Sequence, residues 1–333
     1  MNELGRLQKV NLRDVWQDEA KDFTPWLAQE KNIALLGETL DMELEVEAQE
    51  RNVGPFRADI LCRDALSESW VLIENQLQRT DHTHLGQLIT YAAGLDAVTI
   101  VWVANRFTDE HRAALDWLNQ ITDNDFQFFG LEVELWKIGS SSIAPKFNLV
   151  SKPNNWSKSA AQTRKQIERD GVTPIQQLQL EYWTAMWNLL RQRGSHLRGT
   201  KPGAQHWNNF SLGRTGFRLA SIMDTQKKNI RAEIICSGDQ SYPKYYGLEA
   251  NRESIESQLG YTLKWQELPG KKMKRISVSC EDYDPTDKAT WDKQHNWILD
   301  RLEEFDKVVR PIVKSMNVDE FVDLEMDDSE TEE

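Results

Sequence analysis

The sequence lacks the features of membrane and secreted proteins. No run of about 18 or more apolar residues occurs, so no membrane-spanning helix is expected. The first ten residues contain no apolar segment of the kind that a signal peptide needs. Cysteine is scarce, with three residues far apart in the chain, and reduced, buried thiols are the simplest interpretation. These absences predict a cytoplasmic protein.

Basic residues are also in the minority, with 40 Lys and Arg against 53 Asp and Glu, and the net charge is −13. A negative total does not favour nucleic-acid binding, but the charge is unevenly distributed. Residues 151–231 hold fourteen basic and four acidic side chains, whereas residues 319–333 hold nine acidic side chains and no basic one. The middle of the chain can therefore attract a polyanion that the total charge would repel.

The length of 333 residues is sufficient for two domains, and 39% apolar residues with 13 Trp indicate packed cores. Residues 141–176 are rich in Ser, Asn, Pro and Lys, which is typical of a linker. We therefore predict a first domain at residues 1–140 and a second domain at residues 177–316. The acidic residues 317–333 are expected to form a disordered tail.

The first predicted domain alternates between helical and strand patterns. Residues 11–24 have the pattern of an N-terminal helix, and from Leu44 onward apolar and polar residues alternate as in a half-buried strand. Two more strands, a helix at residues 82–94, a nearly all-apolar strand at residues 97–103, a helix and a last strand follow. This order predicts an α/β fold with a mixed sheet flanked by helices.

The second predicted domain begins with an amphipathic helix at residues 177–193. Strands follow, then a helix at residues 245–259, more strands and a long helix at residues 286–315. This order predicts an α+β fold.

Two acidic residues lie within apolar predicted strands. Asp59 lies in one strand, and Glu74 follows three apolar residues in the next. A buried, ionised carboxylate costs roughly several kcal/mol unless it is paired. Two carboxylates on adjacent strands suit Mg²⁺ or Mn²⁺, which would activate water and stabilise charge during phosphodiester hydrolysis. The alternative interpretation for Asp59 is an edge residue or a satisfied buried acid, whereas Glu74 follows Val-Leu-Ile and is expected near the centre of the sheet.

The helix that follows carries a polar stripe. At about 100° per residue, His84, Gln87 and Tyr91 lie in a narrow sector beside the apolar face, within reach of a site on the sheet. An ordinary boundary of an amphipathic helix is the alternative for His84. His82 faces away from this stripe, and residues two apart on a helix do not face each other, so a zinc site is not expected.

Three elements in this order resemble the PD-(D/E)XK nuclease superfamily: Asp59, the triplet Glu74-Asn75-Gln76, and the run Gln87-Leu-Ile-Thr-Tyr91. The last element is similar to the QxxxY helix of the RecB-like branch. The triplet also resembles an ENQ variant, in which a domain of unknown function follows the nuclease core. The resemblance implies a restriction-endonuclease-like sheet and Mg²⁺ or Mn²⁺ as the cofactor.

The resemblance assigns metal-binding roles by position. Asp59 and Glu74 would bind the ion, together with the backbone carbonyl of Asn75. Glu38, on a predicted helix before the sheet, resembles the family's N-terminal catalytic acid. Glu50 is a competing candidate for that role.

The remaining roles concern the substrate and water. Gln87 and Tyr91 would position the substrate or the attacking water. Gln76 departs from the family pattern, which has lysine there, because an amide can hydrogen-bond to water but carries no charge. The resemblance therefore implies a DNA nuclease in phage defence or DNA repair. The alternative is a descendant without catalytic activity that binds nucleic acid or protein.

Basic and aromatic side chains are interleaved in the second predicted domain, which suits phosphate contacts and base stacking by DNA. The residues are Arg191, Arg193, His196, Arg198, Lys201, Arg214 and Arg218, with Trp207 and Phe210 among them. The alternative is a basic face that balances acidic surfaces within the chain or within a homodimer. A third hypothesis is a protein-interaction adaptor whose acidic tail occupies the basic face.

Overall fold

A computed structural model describes residues 4–53, 56–94, 99–122, 126–153 and 173–322. The chain divides into two compact units, Met1–Lys158 and Ser159–Glu333. Each unit contains its own sheet and its own hydrophobic core. Among the described residues, no helix combines the length and apolar character that crossing a membrane requires.

The first unit is a mixed α/β structure. Its strands are β1 (Leu7–Val10), β2 (Leu44–Val53), β3 (Phe56–Asp64), β4 (Trp70–Arg79), β5 (Thr99–Arg106), β6 (Gln127–Ile138) and β7 (Ala144–Ser151). Its helices are α1 (Thr24–Leu27), α2 (Glu30–Leu40), α3 (His82–Gly94) and α4 (Asp109–Ile121). A 3-10 turn at Leu12–Asp14 and a π-helical segment at Glu19–Phe23 precede α1.

The strands of the first unit form one sheet in the order β1-β6-β5-β4-β3-β2, and β7 also pairs with β6. β4, β5 and β6 run parallel, whereas the other pairs are antiparallel. Because side chains alternate along a strand, β4 contributes to two cores. Ile73 packs with α1 and α2, and Leu72 packs with α3 and α4. Glu74 and Gln76 have the parity of Leu72 and therefore point toward α3.

The second unit is an α+β structure with an antiparallel sheet in the order β11-β12-β10-β9-β8. The strands are β8 (Trp207–Ser211), β9 (Phe217–Asp224), β10 (Asn229–Ser237), β11 (Lys264–Gln266) and β12 (Met273–Cys280). The helices are α5 (Pro174–Gln192), α6 (Ser241–Glu249), α7 (Arg252–Leu259) and α8 (Trp291–Ser315). The predicted architecture, a mixed sheet flanked by helices and a second α+β domain, is confirmed.

Several predicted boundaries in the first unit were wrong. Residues 11–24 do not form one helix, since a 3-10 turn, the π-helical segment and the start of α1 share them. β1 was not predicted, because its side chains are mostly exposed and give no alternation. The linker predicted at residues 141–176 begins too early, because Ala144–Ser151 pair with β6 as β7. Linker residues 154–172 lie outside the described part of the chain.

Boundaries in the second unit also differ. α5 begins at Pro174, where Thr173 and Gln176 form a capping box. The helix predicted at residues 245–259 is two helices, α6 and α7. The tail predicted at residues 317–333 begins too early, since Val318–Phe321 form a 3-10 turn with Val318 buried. Residues 323–333 lie outside the described part of the chain.

The second unit contains a buried histidine that predicts sensitivity to acid. His295 of α8 packs against Tyr182 and Trp291, and its Nε2 has no hydrogen-bond partner among the described residues. Burial lowers the pKa of His295 from 6.5 to about 4. Between pH 6.5 and about 4, His295 binds a proton in the unfolded chain but not in the folded chain. The free energy of unfolding therefore decreases by about 1.4 kcal/mol for each pH unit in this range.

The measurement is urea unfolding of wild type and H295F between pH 7.5 and 4.5. The loss of stability is expected to be shallower for H295F. Identical slopes for the two proteins would contradict this role of His295.

Candidate functional site

Asp59 and Glu74 lie next to each other on neighbouring strands. The paired positions of β3 and β4 include Ile60 opposite Ile73, and the next residues along the two strands are Asp59 and Glu74. At this point the Asp59 side chain joins the strands, because its Oδ2 accepts the backbone N–H of Asn75 at 2.8 Å. This hydrogen bond fixes the orientation of the Asp59 carboxylate beside β4.

A second carboxylate binds the same edge of β4. The Leu77 N–H donates to Glu19 Oε2 at 2.7 Å, two residues beyond the N–H that Asp59 accepts. Glu19 is the first residue of the π-helical segment, a kind of segment that occurs frequently at functional sites. On the opposite face, Asn75 Nδ2 donates to Thr24 Oγ1 at 2.9 Å, which anchors β4 to α1. The N-terminal segment therefore delivers a third acid to the strands of Asp59 and Glu74.

Glu19 was missed by the sequence analysis, which preferred Glu38 as the N-terminal acid. Glu38 is exposed on α2, and it is Glu19 whose charge acts on Glu74. The only sequence signal for Glu19 is its position in an acidic stretch before an apolar helix, and many surface helices share that pattern. The side chain of Glu50 lies outside the described part of the structure.

Glu74 is a buried acid in an unfavourable environment. Glu74 is only 3% exposed, and its Oε2 has no hydrogen-bond partner among the described residues. Burial raises the pKa of Glu74 to about 9, with a further increase from the charge of Asp59; the N–H of Asp59 opposes this increase and the charge of Glu19 adds to it. At neutral pH and without a cation, Glu74 therefore retains its proton.

The donor set around Glu74 is composed of oxygen atoms, which suits a hard divalent cation. The Asn75 carbonyl lies on the same strand edge as its N–H, beside Asp59, because both groups of one residue point to the same neighbouring strand. The described residues contain no group of three or more His, Cys, Asp or Glu with the closeness that metal ligation needs. An ion would have to draw the carboxylates closer together.

Gln76 uses both of its N–H donors and one lone pair of its carbonyl oxygen in structural hydrogen bonds. Its Oε1 accepts the indole N–H of Trp102 at 2.8 Å, and its Nε2 donates to the Arg79 carbonyl at 2.8 Å and to Asp81 Oδ2 at 3.3 Å. Both N–H groups of the amide are therefore used. Gln76 links β4, β5 and the start of α3, and it has no donor left for orienting water, the role predicted for it.

Asp81 and His84 form a close pair beside Gln76. The His84 backbone N–H donates to Asp81 Oδ1 at 3.0 Å, and the ring Nδ1 lies 2.9 Å from both Asp81 oxygens. Burial tends to raise the pKa of Asp81, but hydrogen bonds from His84 and Gln76 outweigh it and lower the pKa. His82 belongs to a different contact, since its Nδ1 lies 3.1 Å from Nε2 of the buried His111.

The other two predicted residues of α3 have different surroundings. Tyr91 is buried in the core that contains Leu72, Trp102 and Ala58, the residue before Asp59. Gln87 is half-buried. Their proposed contacts with substrate or water stay predictions.

The predicted DNA-binding residues of the second unit are largely used within that unit. Arg193 bonds to Asp300 of α8 at 2.8 Å, and Arg214 donates to the Val313 carbonyl at 3.0 Å near the end of α8. Both therefore hold α8 in place.

Arg218 and His196 are also held. Arg218 bonds to Ser237 Oγ at 3.0 Å, and His196 bonds to Asp306 at 2.8 Å. Phe210 is completely buried, so base stacking by this residue was a wrong prediction.

Three of the predicted basic residues keep surface positions in the second unit. Arg191 and Lys201 are exposed, and Arg198 is half-buried. A role of these three in phosphate binding stays a prediction.

Comparison with known proteins gives limited matches. Residues 178–313 match the family model described as a domain of unknown function, DUF4268. No curated protein matches the chain. Among solved structures, that of an EndoMS–dsDNA2 complex is similar at 19% sequence identity with a TM-score of 0.23, over 31% of this chain and 43% of that chain. This likeness spans less than half of that chain and assigns neither fold nor activity, and the family match lies within the second unit.

Proposed function

We propose that the first unit is a metal-dependent nuclease that hydrolyses phosphodiester bonds in DNA. One observation supports the proposal most strongly: the buried Glu74, with an unpaired Oε2, lies beside Asp59 and Glu19, whose charges both raise its pKa. Buried acids are normally paired with a cation or hydrogen-bond donors. A divalent cation held by Asp59, Glu74 and the Asn75 carbonyl would supply the missing charge.

Backbone N–H groups of β4 orient two of the three acids. Asp59 and Glu19 each accept a backbone N–H of β4, so two of the carboxylates are oriented before any ligand arrives. When bound, Mg²⁺ or Mn²⁺ would supply charge for the phosphoryl oxygens and lower the pKa of water. The choice of DNA rests on the resemblance to PD-(D/E)XK nucleases, and Arg191, Arg198 and Lys201 are the proposed phosphate contacts.

Cleavage assays with the full chain test this proposal. Wild type with Mn²⁺ or Mg²⁺ is expected to cut DNA, and D59A and E74A to lose at least about 100-fold in rate, since each removes charge stabilisation at the reacting phosphate. E19Q is expected to lose more activity than E38Q. D109N, which changes an exposed acid of α4, is the matched control.

If wild type leaves linear, circular and single-stranded DNA intact with both ions, the nuclease proposal fails. Equal rates for wild type, D59A and E74A would reject the assigned site.

A second candidate function is favoured by Gln76. Both N–H donors of its amide are used and the amide is uncharged, so the site has no cationic side chain at the position where the family has lysine. A nuclease fold without catalysis would then bind nucleic acid or a protein partner. Salt-dependent DNA affinity that needs no metal and survives E74A, with no cleavage, would favour this function.

A further inference from the structure

We propose that His84 is the catalytic residue that accepts the proton of the attacking water, and that Asp81 is the positioning residue for its ring. This inference rests on the proposed nuclease function and names a residue that the resemblance leaves without a role. Gln76, at the position expected to handle the water, has both amide protons committed to Arg79 and Asp81.

His84 faces the sheet rather than solvent. Leu88 and Tyr91, four and seven residues later, lie on the same side of α3 and are buried in the core formed by Leu72 and Trp102. His84 is itself half-buried, with 23% of its side chain exposed. It therefore lies one helical turn before Leu88, over the face of β4 that carries Glu74 and Gln76.

Gln76 connects the Asp81–His84 pair to this face of β4 through hydrogen bonds. Its amide contacts Asp81 at 3.3 Å, and Asp81 contacts the His84 ring at 2.9 Å. Glu74 is two residues from Gln76 on the same face of β4, which corresponds to about 7 Å along a strand. Gln76 therefore links the Asp81–His84 pair to the face of β4 that carries Glu74. His111 of α4 also interacts electrostatically with Asp81, and burial lowers the pKa of His111.

The hydrogen bonds select the ring nitrogen that can act. With Nδ1 donating to Asp81, the neutral ring carries its lone pair on Nε2. A carboxylate that holds Nδ1–H also stabilises the imidazolium formed when Nε2 takes a proton. In the hydrolysis step an O–H bond of water breaks and its proton passes to Nε2. The water oxygen bonds to phosphorus, the bond to the leaving oxygen breaks, and the leaving oxygen takes a proton from solvent.

Helix capping alone does not account for the pair. Asp81 already caps α3 through the His84 backbone N–H at 3.0 Å. The ring contact to both carboxylate oxygens adds nothing to that cap, and a residue without a side-chain donor would serve as well there. The ring contact and the link to Gln76 are the features that capping leaves unexplained.

Single-turnover cleavage of DNA with Mn²⁺ tests the catalytic part. H84N keeps an amide donor for Asp81 but cannot carry the proton, and its rate is expected to fall by about 100-fold or more, the usual contribution of a general base. Added imidazole is expected to restore part of the rate of H84A, while DNA affinity stays within about twofold of wild type. H82A, which changes the exposed neighbouring histidine, is the control.

NMR of metal-free protein provides a readout that is independent of activity. Imidazole ¹⁵N shifts are expected to show the Nδ1–H tautomer of His84 in wild type and a loss of that preference in D81N, which retains a capping side chain. An Nε2–H tautomer in wild type, or a wild-type cleavage rate for H84N, overturns the inference.

The two proposals fail in different ways. If D59A and E74A abolish cleavage while H84N and H84A cut normally, the nuclease function stands and the role of His84 is rejected. If wild type never cuts DNA, both proposals fail together. Loss of cleavage in H84A without rescue by imidazole, accompanied by a lower melting temperature, identifies His84 as a structural residue and rejects the inference.

Discussion

Replacing Glu74 with Gln is expected to stabilise the metal-free protein at pH 8 and to abolish metal-dependent cleavage. The folded protein raises the pKa of Glu74 to about 9, far above its ordinary value of 4.5. Stability contributed by the protonated form is therefore fully present below about pH 4.5 and is lost as pH rises through about 9. Gln has nearly the same shape and never ionises, so E74Q avoids this loss.

The expected gain for E74Q at pH 8 in EDTA is several kcal/mol in the free energy of unfolding, because the wild type loses about 1.4 kcal/mol for each pH unit above about 4.5. Urea unfolding followed by tryptophan fluorescence measures it, with D109N as the control for a change of one surface charge. At pH 4.5 wild type and E74Q are expected to have similar stability. Destabilisation of E74Q at pH 8 would show that Glu74 is satisfied in the metal-free protein and would contradict the proposed role.

Metal affinity is expected to rise about tenfold for each pH unit between pH 6 and about 9. The cation competes with the proton that Glu74 retains in the metal-free protein, so binding one ion releases one proton in this window. Calorimetric titration of Mn²⁺ in two buffers of different ionisation enthalpy measures the proton release directly. The expected value is close to one proton per ion at pH 7.

E74Q provides the matched control for this linkage. Its residual Mn²⁺ binding is expected to be weaker and nearly independent of pH, because the glutamine of this variant has no acidic proton that the ion must displace. Wild-type affinity that does not change between pH 6.5 and 8.5 would mean that the ion binds away from Glu74. A proton release close to zero at pH 7 would lead to the same conclusion.

The neighbouring positions of Asp59 and Glu74 follow from the sequence, but the third acid does not. Strand periodicity and the short connection between the two strands predict adjacent carboxylates, and the register of β3 and β4 places the residues side by side. Glu19 reaches the site from a π-helical segment, a geometry that residue patterns do not reveal. Its partner is the Leu77 N–H, 58 residues away in the sequence.

The surroundings of Gln76 also depend on long-range contacts. Its Oε1 is bound by the Trp102 indole, 26 residues away on β5. From the sequence alone, Gln76 is an uncharged substitute for lysine with its amide available to water. In the structure both N–H donors of the amide are used by Arg79 and Asp81.

The basic residues of the second unit also make contacts with residues that are distant in the sequence. Arg193 and Arg214 have partners on α8 that are about 100 residues away in the sequence, as the separations of 107 and 99 residues show. An arginine that binds the polypeptide and an arginine at the surface cannot be told apart in the sequence. Only the fold separates them: Arg193 and Arg214 have partners on α8, whereas Arg191 is exposed.

Diffraction from crystals soaked in Mn²⁺, recorded at a wavelength where manganese scatters anomalously, shows whether Asp59 and Glu74 bind a metal ion. We expect an anomalous peak about 2.0–2.6 Å from a carboxylate oxygen of Asp59 and from Glu74 Oε2, with the Asn75 carbonyl at a similar distance. The peak is expected to disappear in E74Q. Manganese bound only elsewhere, with Glu74 Oε2 lacking any partner at pH 8, would contradict the claim that these buried acids form a metal site.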